Sequence, residues 1–360
     1  MRFLFIVQGE GRGHLTQAIS LAEMLSRHGH EVADVLVGKS RSRELPVFFG
    51  ERMRVPVHVY EAPSFVFKKD KKHIDKVKTF IYNTTPVKLR KFGKSVEMIY
   101  QRIKAVNPDV VVNFYEILPG FMHLRFKVDM PFVNIGHQYL LKHPDYPFGK
   151  EDTQNLVILK LHAFLSGIGA AKILALSFYP MKPFPREKLV VTPPLLRREV
   201  LDMQVVEGDY ILGYMLNQGY FGEVQKWHDS HPDVRLHFFW DKKDAPEELA
   251  VDDTLTLHRI NDEKFLHYME KCRGYITTAG FESVCEALFV NKRVMLIPAH
   301  IEQEINAADA ASIGGGIVGD SFDLSLLLKF MQEKRRFAHD DFRKWVFSAE
   351  EIFIRELTAF

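Results

Sequence analysis

Tyr275-Ile-Thr-Thr-Ala-Gly-Phe-Glu-Ser-Val-Cys-Glu-Ala287 decides how this chain is read. A β-branched run ends in a glycine turn and the turn opens into a helix, the arrangement with which parallel α/β sheets hold anions. Thr278, Gly280 and Ser283 would offer backbone N–H and hydroxyl donors to a phosphate, and a diphosphate fits the same turn. Glu286, one helical turn further in, is placed to accept the two hydroxyls of a ribose. A second strand, Val294-Met-Leu-Ile-Pro298, leads to a loop and helix that carry Glu302-Gln303 and Asn306-Ala307.

Working outward, the second half repeats the strand–helix alternation, with strands expected at 210–212, 235–240, 255–257, 274–276 and 294–297. The first half does the same, with strands at 3–7, 31–37, 55–60, 109–113 and 131–135 and helices at 16–27 and 87–105. Leu15, Ala18, Ile19, Ala22 and Leu25 form one stripe of the first helix, and Gly29 follows as its stop. Between the halves, Val190-Val-Thr-Pro-Pro-Leu195 breaks the pattern, because adjacent prolines cannot continue regular structure. The expected organisation is a domain over 1–195, a second over 196–340, and a helix at 341–360 that packs back on the first. Two Rossmann-like βαβ domains facing across a cleft are the α/β architecture that follows.

The first half carries its own glycine turn, Gly9-Glu10-Gly11-Arg12-Gly13-His14. The glycines allow positive φ and close approach of a ligand to Gly11 and Gly13, and the following helix points unpaired N–H groups at the same place. A dinucleotide fingerprint would need a third glycine where His14 stands, and Asp34 sits inside its strand rather than at the end, which argues against a nicotinamide cofactor. A histidine at the mouth of such a turn is placed to take a proton from a hydroxyl, so His14 is the candidate base. Asn113, Tyr115 and Glu116 end another strand, and Glu116 is the candidate to orient His14 as a carboxylate does in a catalytic triad. His137 and Gln138 are weaker candidates on the same edge.

These residues resemble the nucleotide-sugar site of MurG-type and UDP-glycosyltransferases, families of the GT-B fold. The resemblance runs along nearly the whole chain, but its specific motifs fall in three short islands. It implies that Gly280 is the turn glycine, Ser283 a phosphate contact, Glu286 the ribose glutamate and Glu302-Gln303 the pair holding the donor sugar. Gly13-His14 corresponds to the family's amino-terminal turn and base, and Asn113-Phe-Tyr-Glu116 approximates a D-F-E segment. Departures are Thr278 in place of a histidine, Asn113 in place of an aspartate, and Leu216-Asn217-Gln218-Gly219 in place of a G-G-S turn, a change expected to weaken the phosphate grip, with Asn217 and Gly219 as the candidate donor contacts there. The implied activity is transfer of a sugar, UDP being the expected carrier, with cell-envelope polysaccharide as a product class. A nucleotide-sugar epimerase of the same architecture and a binding-only homologue remain as rivals.

No D-x-D sequence occurs to hold Mg²⁺, so transfer is expected to need neither metal nor cofactor. Helix N-termini would then neutralise the leaving diphosphate, and attack from the opposite face would invert the anomeric centre. Charge is divided: residues 1–200 carry +13 and the remainder −11, within a net charge of +2. The densest basic stretches lie at 68–78 and 88–94, and they point to an anionic or lipid-linked acceptor and a peripheral contact with an anionic membrane. Nucleic acid is not expected, because no stacking pattern or helix-turn-helix accompanies the charge. Two cysteines, Cys272 and Cys285, without metal or redox spacing, and no visible export signal point to the cytoplasm.

Overall fold

The computed structural model describes residues 1–41, 43–64, 66, 75–151, 153–215, 218–242 and 244–360. Two compact units result, one from Met1–Val66, Asp75–Arg197 and Trp345–Phe360, the other containing Arg198–Lys344. The first unit contains β1 (Arg2–Gln8), α1 (Arg12–Arg27), β2 (Glu31–Lys39), α2 (Val47–Met53), β3 (Val57–Glu61), α3 (Lys76–Thr84) and α4 (Pro86–Val106). It continues through β4 (Val110–Phe114), α5 (Leu118–Arg125), β5 (Phe132–Ile135), α6 (Gln154–Ser166), β6 (Lys172–Leu176) and β7 (Leu189–Thr192). All seven strands are parallel, in the order β3-β2-β1-β4-β5-β6-β7. Strand order reverses between β1 and β4, and the crevice outside their carboxyl ends is where such sheets take ligands.

The physical reasons are local. Phe3 to Val7 and Val110 to Phe114 are buried throughout, as strands covered on both faces require. Helix α4 is set by Thr85, whose hydroxyl accepts the Lys88 N–H, by Pro86 in its first turn, and by Asn107, left-handed at φ 46°, at its end. Gly29, at φ 71°, stops α1 as expected. Leu4, Ile6, Leu36, Val111, Ile99, Ile103 and Met122 join strands and helices into one core.

The second unit contains α7 (Arg198–Leu201), β8 (Ile211–Met215), α8 (Phe221–Asp229), β9 (Leu236–Trp240), β10 (Glu248–Ala250), β11 (Leu255–Arg259), α9 (Asp262–Lys271) and β12 (Gly274–Thr277). After these come α10 (Phe281–Phe289), β13 (Arg293–Leu296), α11 (Ile301–Ser312), β14 (Gly316–Val318) and α12 (Ser325–Gln332). Its order is β10-β11-β9-β8-β12-β13-β14, with only β10 antiparallel, and the reversal lies between β8 and β12. Cys272 and Cys285 are buried free thiols, and burial pushes Cys272 up to about 12.

Three expectations are corrected. Residues 190–192, read as part of a hinge, are the last strand of the first sheet, and irregular chain begins only at the prolines. Helix α1 starts at Arg12, not Thr16, so Gly13 and His14 are helical. The terminal helix is two, α13 (His339–Phe347) and α14 (Ala349–Thr358), because Ser348 turns the chain and its Oγ donates to the Trp345 carbonyl at 2.7 Å. Helix α14 is held in the first unit by Lys172–Glu356 at 2.9 Å and Arg27–Glu350 at 2.8 Å, and Trp345 Nε1 donates to the Ser177 carbonyl at 3.0 Å. None of the described helices is long and apolar enough to cross a membrane.

Candidate active site

In the first unit the site is built where β1 meets α1. Gly9 is glycine because β2 passes close by: a Cβ would lie 2.7 Å from Val37 Cγ1 and 3.0 Å from the Gly38 carbonyl. Close packing, not positive φ, is therefore what this turn demands, since Gly9, Gly11 and Gly13 all lie outside the positive-φ region. Gly11 caps α1 with extended backbone and no side-chain cap, which leaves the first N–H groups of the helix without a partner from its own cap residue. Glu10 secures the turn from outside by accepting the Ser40 N–H at 2.5 Å and the Ser64 hydroxyl at 2.7 Å.

His14 lies in the first turn of α1, buried, with Nδ1 3.1 Å from Gln17 Oε1. An amide oxygen only accepts, so this bond places the proton on Nδ1 and leaves Nε2 as the basic nitrogen. Gln17 was not anticipated; an i,i+3 pair on one helix face was the signal available for it. Glu116, expected to orient His14, is engaged with the backbone that follows it. Its carboxylate accepts the Leu118 N–H at 3.3 Å at the start of α5, and it lies so close over Gly38 that a Cβ there would meet Oε2 at 2.5 Å. Burial pushes its pKa up to about 8, against the pull of the Leu118 and Ile117 N–H groups, with Glu10 nearby adding to the rise. Near neutrality Glu116 is thus mostly an uncharged acid.

Tyr115 turns the chain between β4 and Glu116 with φ 57°, a conformation a bulky side chain adopts only where its surroundings impose it. Its ring lies 5.9 Å from that of His14, 4.7 Å from His162 and 5.2 Å from Tyr139. Asn113 closes the same turn, accepting the Glu116 N–H and donating to the Glu116 carbonyl, both at 3.0 Å. His137, in the short helical turn after β5, donates from Nδ1 to the Leu176 carbonyl at the end of β6 at 2.8 Å. Asp34 is engaged within the sheet by Arg102 Nε at 2.9 Å and His58 Nε2 at 3.3 Å.

In the second unit Thr278, Gly280, Ser283 and Glu286 follow one another from β12 into α10, with Thr278 and Glu286 buried. The left-handed residue of the turn is Ala279, at φ 59°, whereas Gly280 is the extended cap of α10 at φ −67°. A Cβ on Gly280 would find only Ser283 Oγ, at 3.8 Å, so the glycine leaves the helix N-terminus uncovered. Ser283 Oγ donates to the Gly280 carbonyl at 3.3 Å. Asn306 on α11 donates to the Ala279 carbonyl at 3.2 Å and holds the turn against that helix. Glu302 is half-buried in the first turn of α11, and Gln303 Oε1 accepts the Ala299 N–H at 2.9 Å, tying the loop ahead of the helix to its first turn. Gly219 lies in the short turn Gln218–Tyr220 before α8, and Asn217 lies outside the described residues. Among the described residues no group of three or more His, Cys, Asp or Glu is arranged to hold a metal.

Two Rossmann-like sheets, one ending in a histidine at the head of its first helix and the other in an open helix N-terminus, define the GT-B class of sugar transferases. The sequence model of glycosyl transferase family 1 matches residues 1–333, and the chain belongs to that family. Solved structures agree on the fold. The glycotransferase of kitacinnamycin matches with a TM-score of 0.64 at 14% identity over 99% of both chains. CalG4, the calicheamicin glycosyltransferase, gives 0.61 at 15% identity, covering 100% of this chain and 98% of its own. UGT71G1 of Medicago truncatula, solved with UDP-glucose, gives 0.61 at 11% identity over 99% and 98%. Among curated proteins no sequence matches.

Proposed function

We propose that this glycosyltransferase moves a sugar from a nucleotide diphosphate, UDP in the first instance, to an acceptor hydroxyl that His14 deprotonates, with inversion at the anomeric carbon and without a metal. The observation that supports the reading is the His14–Gln17 bond at 3.1 Å: with the proton of Nδ1 given to the amide oxygen, Nε2 of an imidazole at the head of α1 would be the nitrogen that takes the acceptor's proton. Attack by the acceptor oxygen forms the new glycosidic bond as the bond to the diphosphate breaks, and the acceptor proton passes to Nε2. The leaving diphosphate gathers negative charge, which the N-terminus of α10 and the Ser283 hydroxyl would meet with fixed dipoles. Glu286 is assigned the ribose hydroxyls, and Glu302 with Gln303 the donor sugar. UDP is favoured because the Medicago enzyme was solved with UDP-glucose. The basic first half favours an anionic, lipid-linked acceptor presented at a membrane face.

The test is a thermal-shift panel of nucleoside diphosphates, followed by His14→Ala and Glu286→Ala. His14→Ala should lower turnover by at least about a hundredfold while UDP binding stays intact, and Glu286→Ala should weaken UDP binding itself. Full activity of the His14 variant would end its assignment. A new sugar isomer formed from donor alone would make the protein an epimerase, and nucleotide binding with no turnover of any donor would make it a binding protein.

A further inference from the structure

The turn from β12 to α10 covers two buried hydroxyls. Tyr275 and Thr277 stand two residues apart on β12 and so share one face of it, while Ile276 points the other way, into a core with Met295 and Leu327. Both side chains are wholly buried, and among the described residues neither Tyr275 Oη nor Thr277 Oγ1 finds a hydrogen-bond partner. Buried polar groups are paired in the large majority of cases, because an unpaired one loses its hydration and gains nothing in return. Space does not ask for a hydroxyl at residue 275: the ring packs edge-on against Phe265 at 6.0 Å, and phenylalanine would do the same. The polar side chains close enough to act on Tyr275 Oη as hydrogen-bonding groups are Ser283 and Thr277, whereas Tyr214 and Glu286 reach it only through charge. Burial raises the pKa of the phenol, so it keeps the proton it has to give.

Ser283 is the third residue of α10, at the helix end assigned to the diphosphate. Its Oγ donates to the Gly280 carbonyl at 3.3 Å, long for a bond between two oxygens. A hydroxyl has one proton and two lone pairs. A serine that turns its proton to a phosphate oxygen therefore still needs a donor to fix its direction, and Tyr275 is the buried donor beside it. We propose that Tyr275 is a positioning residue for nucleoside-diphosphate binding: its hydroxyl donates to Ser283 Oγ while Ser283 donates to the phosphate. The inference rests on the reading of Ser283 as a phosphate contact and deepens it by naming the group that holds the serine. Hydrogen bonds arranged in series polarise one another, and the negative charge at the far end strengthens both. The Tyr275 hydroxyl thus lowers the stability of the free protein and tightens its hold on the ligand, two effects of opposite sign from one oxygen.

The test is a double-mutant cycle on Tyr275→Phe and Ser283→Ala in the full chain. It is read as the dissociation constant of UDP by calorimetry, with ADP, GDP and dTDP in parallel because all four share the diphosphate. Ser283→Ala should weaken binding at least about tenfold, and Tyr275→Phe about fivefold, the loss expected of one buried hydrogen bond. In the Ser283→Ala background Tyr275→Phe should change affinity by less than about twofold, since the hydroxyl then has no serine to hold. Thr277→Val, which removes the other buried hydroxyl, should leave affinity unchanged. Without nucleotide the Tyr275→Phe protein should melt about 2 °C above the wild type, because an unpaired buried hydroxyl has been removed. A hydroxyl that only supports the fold would lower the melting temperature instead. Additive losses in the cycle, a Tyr275→Phe protein that melts below the wild type, or a loss from Thr277→Val as large as that from Tyr275→Phe overturns the proposal. If Ser283→Ala is weakened and Tyr275→Phe is not, the positioning role alone falls. If Ser283→Ala binds every diphosphate as the wild type does, or the wild type binds none, the reading of Ser283 as a phosphate contact falls and takes the role of Tyr275 with it.

Discussion

Glu116 is a carboxylic acid that the fold keeps protonated near neutrality, and this has a consequence for stability. Its ordinary value of 4.5 is raised to about 8 by burial. In the unfolded chain the group gives up its proton near 4.5, so between there and about 8 the native state binds more protons than the unfolded state. Stability must then fall as pH rises through that interval, by up to about 1.4 kcal/mol per pH unit from this group. Gln at this position keeps an oxygen for the Leu118 N–H and has no proton to lose. Glu116→Gln should therefore match the wild type near pH 5 and gain on it steadily toward pH 8, as read by urea unfolding at a series of pH values. A difference that is flat across the series would show that Glu116 is not held protonated. For the triad analogy that suggested Glu116 as the partner of His14, the consequence is that burial against Gly38 and Tyr60 favours the neutral acid, while a neutral amide, Gln17, meets the imidazole at Nδ1.

At the scale of elements, the turn from β12 to α10 shows what a sequence pattern reveals and what it hides. Strand, turn and helix were legible because Tyr275 and Ile276 form a buried apolar run and a glycine stands at the helix start. The residue bearing the unusual backbone was not, because alanine carries no turn signal and the neighbouring glycine draws it. Ala279 at φ 59° is under the steric strain that L-residues meet there, while Gly280 is at ordinary angles. Ala279→Gly should stabilise the second unit by up to about 1 kcal/mol, the relief of strain outweighing the extra freedom of the unfolded glycine, as measured by urea unfolding. Destabilisation would mean that the methyl group, fully buried, contributes more through packing than it costs in strain. The elements that escaped the reading did so for similar local causes. β10 and β14 are three-residue strands with no room for a period, β7 is masked by the prolines after it, and α6 is apolar nearly all round. Helix α3 has the right period with its apolar stripe turned outward, so periodicity alone would place its buried face on the wrong side.

At the scale of the molecule, the first unit is not continuous in sequence: it is completed by residues 345–360, which follow the whole second unit. Phe353 and Leu357 of α14 are fully buried, and burial of each such side chain is worth roughly 1.5–3 kcal/mol. To this are added the Trp345–Ser177 hydrogen bond and the Lys172–Glu356 pair, both partly shielded from solvent. Together these contacts are on the order of 5 kcal/mol, comparable with the whole net stability of a domain. During synthesis the first unit therefore cannot reach its final stability until residues 345–360 are made, although its seven strands are complete by residue 192. Deleting residues 345–360 should lower the unfolding transition of the first unit and open it to limited proteolysis, while the second unit keeps its protection. Adding the 345–360 peptide separately should restore part of the loss, because the missing contacts are side-chain contacts that a separate helix can make. A truncated protein whose first unit resists proteolysis as well as the full chain does would show that the sheet is self-sufficient and that α14 only covers it.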